Sequence, residues 1–342
     1  MDTVHYHEAR KFEILKKPIP EIKDDEVLVH VRFCGICGSD EHIHSGELFA
    51  DIFPLTPGHE ISGEISKVGS AVTELAVGDK CVVSPIITCG NCFFCRRGNE
   101  VMCIKMVGYG VTRDGGLSEY VVVNEKNVHK FKNISFQDAC LIEPTSCAVF
   151  GADRLQLPVG SSVLVLGAGP SGLILSQLLK VNGASTVVLA ANKGVKTALA
   201  QEIGAADVYV ELDRADPEAQ WAKLKVDYPY GFDAVVEATG SEAIVNRSID
   251  YVRRGGSLLL YGVYGPKAQV HWPPSKIFLD QITILSSFAQ RYTFPRAVEY
   301  IESGKINVKG MVTDVFELKD YQAALDKVSS RDALKVVVKT SA

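Results

Sequence analysis

The sequence predicts an α/β protein in two parts, a mostly-β region followed by a doubly wound parallel sheet, and three observations predict it. Apolar and polar residues alternate with period two through the first part. After about Gly151, apolar strands alternate with helical stretches, and a glycine-rich turn separates the first of those strands from its helix. With 342 residues, 46% of them hydrophobic, the chain has the length of about two domains and enough apolar side chains to fill their cores. That excludes a disordered or fibrous protein.

In the first part, Val27, Val29, Val31 and Phe33 face one way and Leu28, His30 and Arg32 the other, which reads as a strand ending at Cys34. Residues 61–68, 80–83 and 117–123 read as further short strands, set apart by Pro57-Gly58, Val77-Gly78-Asp79 and Asp114-Gly115-Gly116. In the second part, strand 162–166 leads into a helix from Pro170, strand 186–190 into one ending near Gly204, and strands 234–237, 257–261 and 282–286 follow. Helices are expected at 295–301 and around 320–328. A last strand, 334–338, is expected to return to the first part.

Several functional classes fall away on composition. The net charge of -5, with lysines and arginines scattered among acids, offers no footprint for phosphate backbones, so no nucleic acid partner is expected. Residues 1–17 alternate charged and apolar side chains, no apolar run is long enough to span a bilayer, and Lys339-Thr340-Ser341-Ala342 spells no sorting signal. A cytoplasmic protein without membrane partners is expected. The nine cysteines bunch between Cys34 and Cys147, which suits thiolate ligands in a reducing compartment better than a disulfide framework.

The turn Gly167-Ala168-Gly169-Pro170-Ser171-Gly172 is a G-x-G-x-x-G placed between an apolar strand and a helix. Gly167 allows the tight turn, Gly169 lets the backbone approach a pyrophosphate, and Gly172 permits close helix packing. Pro170 and Ser171 open the helix whose N-terminus faces the anion. Alone, such a pattern is more often a plain turn. In this strand–helix context a dinucleotide site of the Rossmann kind is the favoured reading.

Cys89, Cys92, Cys95 and Cys103 stand at spacings of two, two and seven within one loop-like stretch. Four thiolates close a tetrahedral zinc site and leave no position for substrate, so this metal would be structural. An iron–sulfur cluster could use the same spacing, although no second cysteine group supports it, and four inert thiols are the bland alternative. Elsewhere, Cys37-Gly38-Ser39-Asp40-Glu41-His42, Gly58-His59-Glu60 and Glu143-Pro144 offer a thiolate, an imidazole and carboxylates. Singly, each is ambiguous.

Taken together and in this order, the Gly58-His59-Glu60 motif, the four-cysteine lobe and the dinucleotide fingerprint resemble the medium-chain zinc-dependent alcohol dehydrogenases along essentially the whole chain. The resemblance implies a GroES-like catalytic domain from residues 1–147 and 288–342 and a Rossmann domain from residues 148–287. It implies two zinc ions: one structural, and one catalytic on Cys37 and His59, with Glu60 as a ligand or a group that exchanges with water. Glu143 sits where many members have a third protein ligand, and Cys34 matches no ligand. Zinc lowers the pKa of bound water from about 15.7 to roughly 7, and a bound alcohol is acidified in the same way. The family mechanism implies that its proton leaves through Ser39 and the cofactor ribose to His42, while hydride passes to the nicotinamide.

Glu143-Pro144 and the pair Arg291-Tyr292 resemble the polyol (sorbitol) branch, in which Ser39, Glu143, Arg291 and Tyr292 would face a sugar alcohol. D-arabinitol is the first candidate, with xylitol, sorbitol and galactitol open. On physics alone, Arg291 could equally serve a domain-bridging ion pair. Alternatives are a threonine- or butanediol-type dehydrogenase, or a zinc- and nucleotide-binding sensor without turnover. At the end of the second dinucleotide-domain strand, Ala191 replaces the usual carboxylate, Asn192 can donate hydrogen bonds, and Lys193 or Lys196 can supply positive charge. NADP is therefore expected over NAD, with use of both as the alternative. The apolar strand 282–286 would form a sheet edge, so a homodimer or homotetramer is expected.

Overall fold

Alternation at the N-terminal end becomes a hairpin, in which β1 (Asp2–Glu8) pairs antiparallel with β2 (Lys11–Lys16) and buries Val4 and Tyr6. The computed structural model describes residues 1–47, 52–330 and 332–341; Ala342, which closes the C-terminal tetrapeptide read above, lies outside the described residues. The chain forms two units. One comprises Met1–Pro144, Phe294–Ser303 and Lys309–Ala342, the other Thr145–Thr293 and Gly304–Val308.

The first unit is organised by β3 (Glu26–Ile36), which leads into helix α1 (Gly38–Ser45). Next come β4 (Glu60–Val68), β5 (Lys80–Val83), the short pair β6 (Ile86–Ile87) and β7 (Val107–Gly108), then β8 (Tyr120–Asn124), β9 (Val128–Lys130) and helix α2 (Phe136–Ala139). One edge of β3 pairs with β4; the other pairs with β8 near its start. That double pairing places β3 inside the sheet, so Val27, Val29 and Val31 are fully buried and Leu28, on the opposite face, is 5% exposed. The strand also runs to Ile36, two residues beyond the end expected at Cys34, because its last residues find a partner from the far end of the chain. Residues 117–119 lie outside β8 and instead bond to β1, with the Val4 amide donating to the Leu117 carbonyl.

Helix α3 (Ile142–Leu155) leads into the second unit. There, β10 (Ser162–Leu166), α4 (Pro170–Val181), β11 (Thr186–Asn192), α5 (Val195–Glu202), β12 (Val208–Leu212), α6 (Glu218–Asp227), β13 (Phe232–Glu237), α7 (Glu242–Ser248), β14 (Val252–Leu260), α8 (Pro274–Leu279) and β15 (Thr283–Ser286) alternate. The strands form one parallel sheet in the order β12-β11-β10-β13-β14-β15. The order reverses between β10 and β13, and in such a sheet ligands bind in the crevice beyond the strand ends at that point. Val163, Leu164 and Val165 are fully buried, as expected of an apolar run covered on both faces.

The chain returns to the first unit through α9 (Phe294–Glu302), β16 (Val312–Glu317), α10 (Tyr321–Ser329) and β17 (Lys335–Lys339). β17 lies between β16, which it meets in parallel, and β3, which it meets antiparallel, completing the order β16-β17-β3-β4-β5-β9 with β8 on β3. Among the described residues, no helix is long and apolar enough to cross a membrane.

Candidate active site

Among the described residues of the first unit, two groups of side chains could hold a metal ion, each with its donor atoms within 4.8 Å of one another. Cys37, His59 and Glu60 form the first. Cys37 sits in extended conformation at the N-cap of α1, and its backbone amide donates to Asp40 Oδ2 at 2.8 Å, which fixes the turn from β3 into the helix. Asp40 is 1% exposed. Its Oδ1 faces His59 Nδ1 at 3.8 Å, and neither atom has a hydrogen-bond partner among the described residues. Burial alone would lower the His59 pKa, but Asp40, with Cys37 behind it, raises it well above the ordinary histidine value. A carboxylate behind one ring nitrogen orients imidazole so that the other nitrogen faces a metal. The thiol–imidazole–carboxylate donor set fits a zinc ion with an open position.

Glu60 opens β4 directly across from Gly35 on β3, and a Cβ at Gly35 would fall 2.0 Å from Glu60 Oε2. Only glycine lets that carboxylate lie over the neighbouring strand. Lys335, the first residue of β17, donates to both carboxylate oxygens at 2.7 Å and to the Ile36 carbonyl at 3.2 Å. Burial opposes the lysine charge, but Glu60 outweighs it and the Lys335 pKa is raised. Glu143, in the first turn of α3, is close enough for its charge to act on His59 and Lys335, yet its carboxylate lies outside the three-donor group.

Ser39 Oγ lies 3.9 Å from Cys37 Sγ. On the same helix, His42 is partly exposed, with Nδ1 2.8 Å from Glu47 Oε2. Asp40, Glu47 and Lys335 are the neighbours that sequence reasoning left without a role. Asp40 carried a signal, an acid three residues beyond a thiol at a helix start; Lys335 carried none, because strand pairing alone brings it to Glu60.

In the second group, Cys92 and Cys95 Sγ are 3.5 Å apart, Cys103 and Cys89 Sγ 3.5 Å, and Cys89 and Cys95 Sγ 4.0 Å. Tetrahedral Zn–S bonds of about 2.3 Å space the sulfurs roughly 3.8 Å apart, so the loop needs little adjustment to hold zinc. The amides of Cys89 and Lys105 both donate to Cys103 Sγ at 3.4 Å. Backbone amides, led by that of Cys95, pull the Cys92 pKa down to about 6, favouring the thiolate that a metal needs.

In the second unit, Gly167 takes φ +111 at the end of β10, and a Cβ at Gly172 would fall 1.9 Å from the Gly167 carbonyl oxygen. Gly169 caps α4 with open space where its Cβ would stand, followed by Pro170 as the first helical residue and then Ser171. A helix N-terminus with this clearance fits a pyrophosphate. At the end of β11, Ala191 and Asn192 pair with Glu211 and Leu212 of β12. Lys193 Nζ faces Glu211 Oε2 at 3.8 Å, so the cation expected for a phosphate already has a carboxylate beside it, while Lys196 lies in the first turn of α5. The Arg291 guanidinium stands 5.8 Å from the centre of the Tyr292 ring, and Tyr292 takes φ +52 with 68% of its surface exposed.

Residues 23–133 match the alcohol dehydrogenase GroES-like domain, and residues 170–303 match the zinc-binding dehydrogenase domain. The chain is 53% identical over 339 residues to D-arabinitol dehydrogenase 1 of Uromyces fabae, covering 99% of this chain and 97% of that protein. It belongs to the zinc-binding alcohol dehydrogenases. The sorbitol dehydrogenase of Bacillus subtilis is 31% identical over 99% of this chain and 97% of its own. Among solved structures, a zinc-binding dehydrogenase from Sinorhizobium meliloti bound to NADP superposes with a TM-score of 0.91 at 30% identity, covering 99% of this chain and 98% of that one. The dehydrogenase thus combines a GroES-like domain with a Rossmann domain, is of the polyol branch, and uses zinc and a nicotinamide cofactor. The sensor without turnover is set aside.

Proposed function

We propose that this polyol dehydrogenase oxidises a secondary hydroxyl of D-arabinitol to the ketose, preferring NADP to NAD and holding two zinc ions per subunit. The whole-length identity of 53% to a D-arabinitol dehydrogenase carries the substrate reading. Cys37 and His59, with Glu60 or Glu143, would hold a zinc ion that supplies Lewis acidity toward the alcohol, and a nicotinamide cofactor would supply the hydride acceptor. Ser39 receives the hydroxyl proton at Oγ, and His42, oriented by Glu47, releases it toward solvent. Oxidation of each alcohol yields one ketose, one reduced cofactor and one proton. Lys335, bonded to both Glu60 oxygens, would hold that carboxylate in place beside Cys37 and His59. Arg291 and Tyr292 would bind the remaining hydroxyls, since a guanidinium donates to several oxygens at once. Cys89, Cys92, Cys95 and Cys103 would hold the structural zinc.

Ala191 carries the NADP reading: it neither accepts a hydrogen bond from a 2′-hydroxyl nor repels a 2′-phosphate. Absorbance of reduced cofactor, followed over a polyol panel that includes threonine and butanediol with both cofactors, tests the whole reading. D-arabinitol with NADP should give the highest kcat/KM, and Ala191→Asp should move the ratio toward NAD. A native preference for NAD, or for a non-polyol alcohol, would overturn the corresponding part.

For assembly, β15 has β14 on one side and, among the described strands, none on the other. In α8, which precedes it in the chain, Phe278 is 80% exposed and Leu279 72%. This edge would join a second copy, and light scattering finding monomers at micromolar concentration would reject it.

A further inference from the structure

The carboxylate missing from the end of β11 stands one strand away. Glu211 pairs in register with Ala191, and neighbouring strands lie only about 4.8 Å apart, so both side chains leave the same face of the sheet. Glu211 is held in place. The buried Thr197 hydroxyl lies 2.9 Å from its Oε1 and receives the Gly194 amide at 3.1 Å, tying the carboxylate to the loop that follows β11. Its other oxygen faces Lys193, but loosely, at 3.8 Å from a side chain that is 77% exposed. Exposed pairs of this kind are weak and easily exchanged.

Beyond the two strand ends opens a cleft of about 410 Å³, lined by Lys193, Glu211 and Arg214 among others. Arg214 pairs with no carboxylate among the described residues. Asp213 lies beside it, but its Oδ1 is occupied by the Ala215 and Asp216 amides. The cleft therefore contains one tethered cation, two carboxylates, of which Glu211 is fixed by a buried hydroxyl and Asp213 is turned to backbone amides, and one guanidinium able to grip a phosphate with two parallel hydrogen bonds.

We infer that cofactor selection is a two-strand device: Glu211 on β12 restrains Lys193 and opposes a 2′-phosphate, while Arg214 beyond it supplies the cation that holds one. The inference rests on the dinucleotide site proposed above and deepens it. When Lys193 turns to a phosphate, Glu211 cannot follow, and its charge stays beside the anion. With a 2′-hydroxyl the same carboxylate is an acceptor, so NAD remains usable. The end of β11 removes a barrier to NADP; β12 decides how strongly NADP is favoured.

Calorimetric titration of the purified full-length enzyme with adenosine 2′,5′-bisphosphate and with 5′-AMP reads this without turnover. Glu211→Gln keeps an oxygen for Thr197 and removes the charge; it should raise the bisphosphate-to-AMP affinity ratio about fivefold. Arg214→Gln should lower that ratio about tenfold, and Arg214→Lys should restore part of it. Arg214 is exposed and Glu211 half-buried, and an unchanged unfolding temperature verifies that each variant is folded. A ratio within twofold of native in Glu211→Gln or Arg214→Gln, or one that moves the opposite way, overturns the inference. The native ratio answers a separate question: tighter binding of 5′-AMP would defeat the NADP preference, whereas the shifts in the variants would still decide the role of β12.

Discussion

Within the first unit, the four-cysteine loop and the cluster of Cys37, His59 and Glu60 are built in opposite ways. The loop draws every sulfur from the stretch Cys89 to Cys103, and two of its sulfur pairs already stand 3.5 Å apart. The open cluster takes Cys37 from the junction of β3 and α1 and its other two donors from the start of β4; its carboxylate is anchored by a lysine from β17. A local loop can reach its metal geometry with little help from the rest of the fold. The open cluster exists only when three strands are in register. The loop is therefore a matter of spacing, and the catalytic centre a matter of tertiary structure.

Metal removal tests that contrast with the largest expected effect. Mild chelation should abolish activity with loss of one zinc per subunit while the unfolding temperature hardly moves, because four thiolates hold their metal more completely than an open site. Metal analysis finding a single zinc, or loop zinc leaving first, would break the comparison. Next comes Ser39→Ala, for which turnover should fall by roughly 10²–10⁴ with both zinc ions retained. A near-normal rate would remove Ser39 from proton transfer.

Lys335→Met should lower stability by about 3–5 kcal/mol, since it leaves the fully buried Glu60 carboxylate without its partner. Denaturant titration checks this, and the additional change Glu60→Gln should recover much of the loss; a single variant as stable as native would show that the pair does not anchor the site. The smallest effect should come from Asp40→Asn, which keeps the shape but weakens the charge behind His59. Affinity for the labile zinc should drop about 10–100-fold, as for other groups that orient a ligand, while the loop zinc is unaffected. Equal weakening at both sites would mean that Asp40 acts through general stability instead.

Much of the fold was legible because it follows local periodicity. The strands around Val29, Val82 and Val165 alternate or run apolar as their burial requires, and the glycine turn before Pro170 announces both a strand end and a helix start. β12 was harder to read. Its Val208-Tyr209-Val210-Glu211-Leu212 run is largely exposed or half-buried and gains its place by pairing with β11. The hairpin of β1 and β2 shows alternation around Val4 and Tyr6, but only its partner strand makes that pattern a sheet. In the site, Cys37, His59 and the four loop cysteines stand out by residue type and spacing. Lys335 and Glu211 do not: a lysine or glutamate in a strand reads as solvated until cross-strand register shows what faces it.

The anchoring of Glu60 by Lys335 also orders events in time. The two residues are 275 positions apart, and at synthesis rates of about 5–20 residues per second the later one emerges on the order of tens of seconds after the earlier. The cysteine loop, Cys89 to Cys103, emerges whole soon after Glu60, within that interval. Until β17 slots between β16 and β3, a buried carboxylate lacks its counter-charge and the reactive cluster lacks its frame. On the two-zinc proposal, a nascent chain has all four loop ligands in hand before β17 completes the frame of the second cluster.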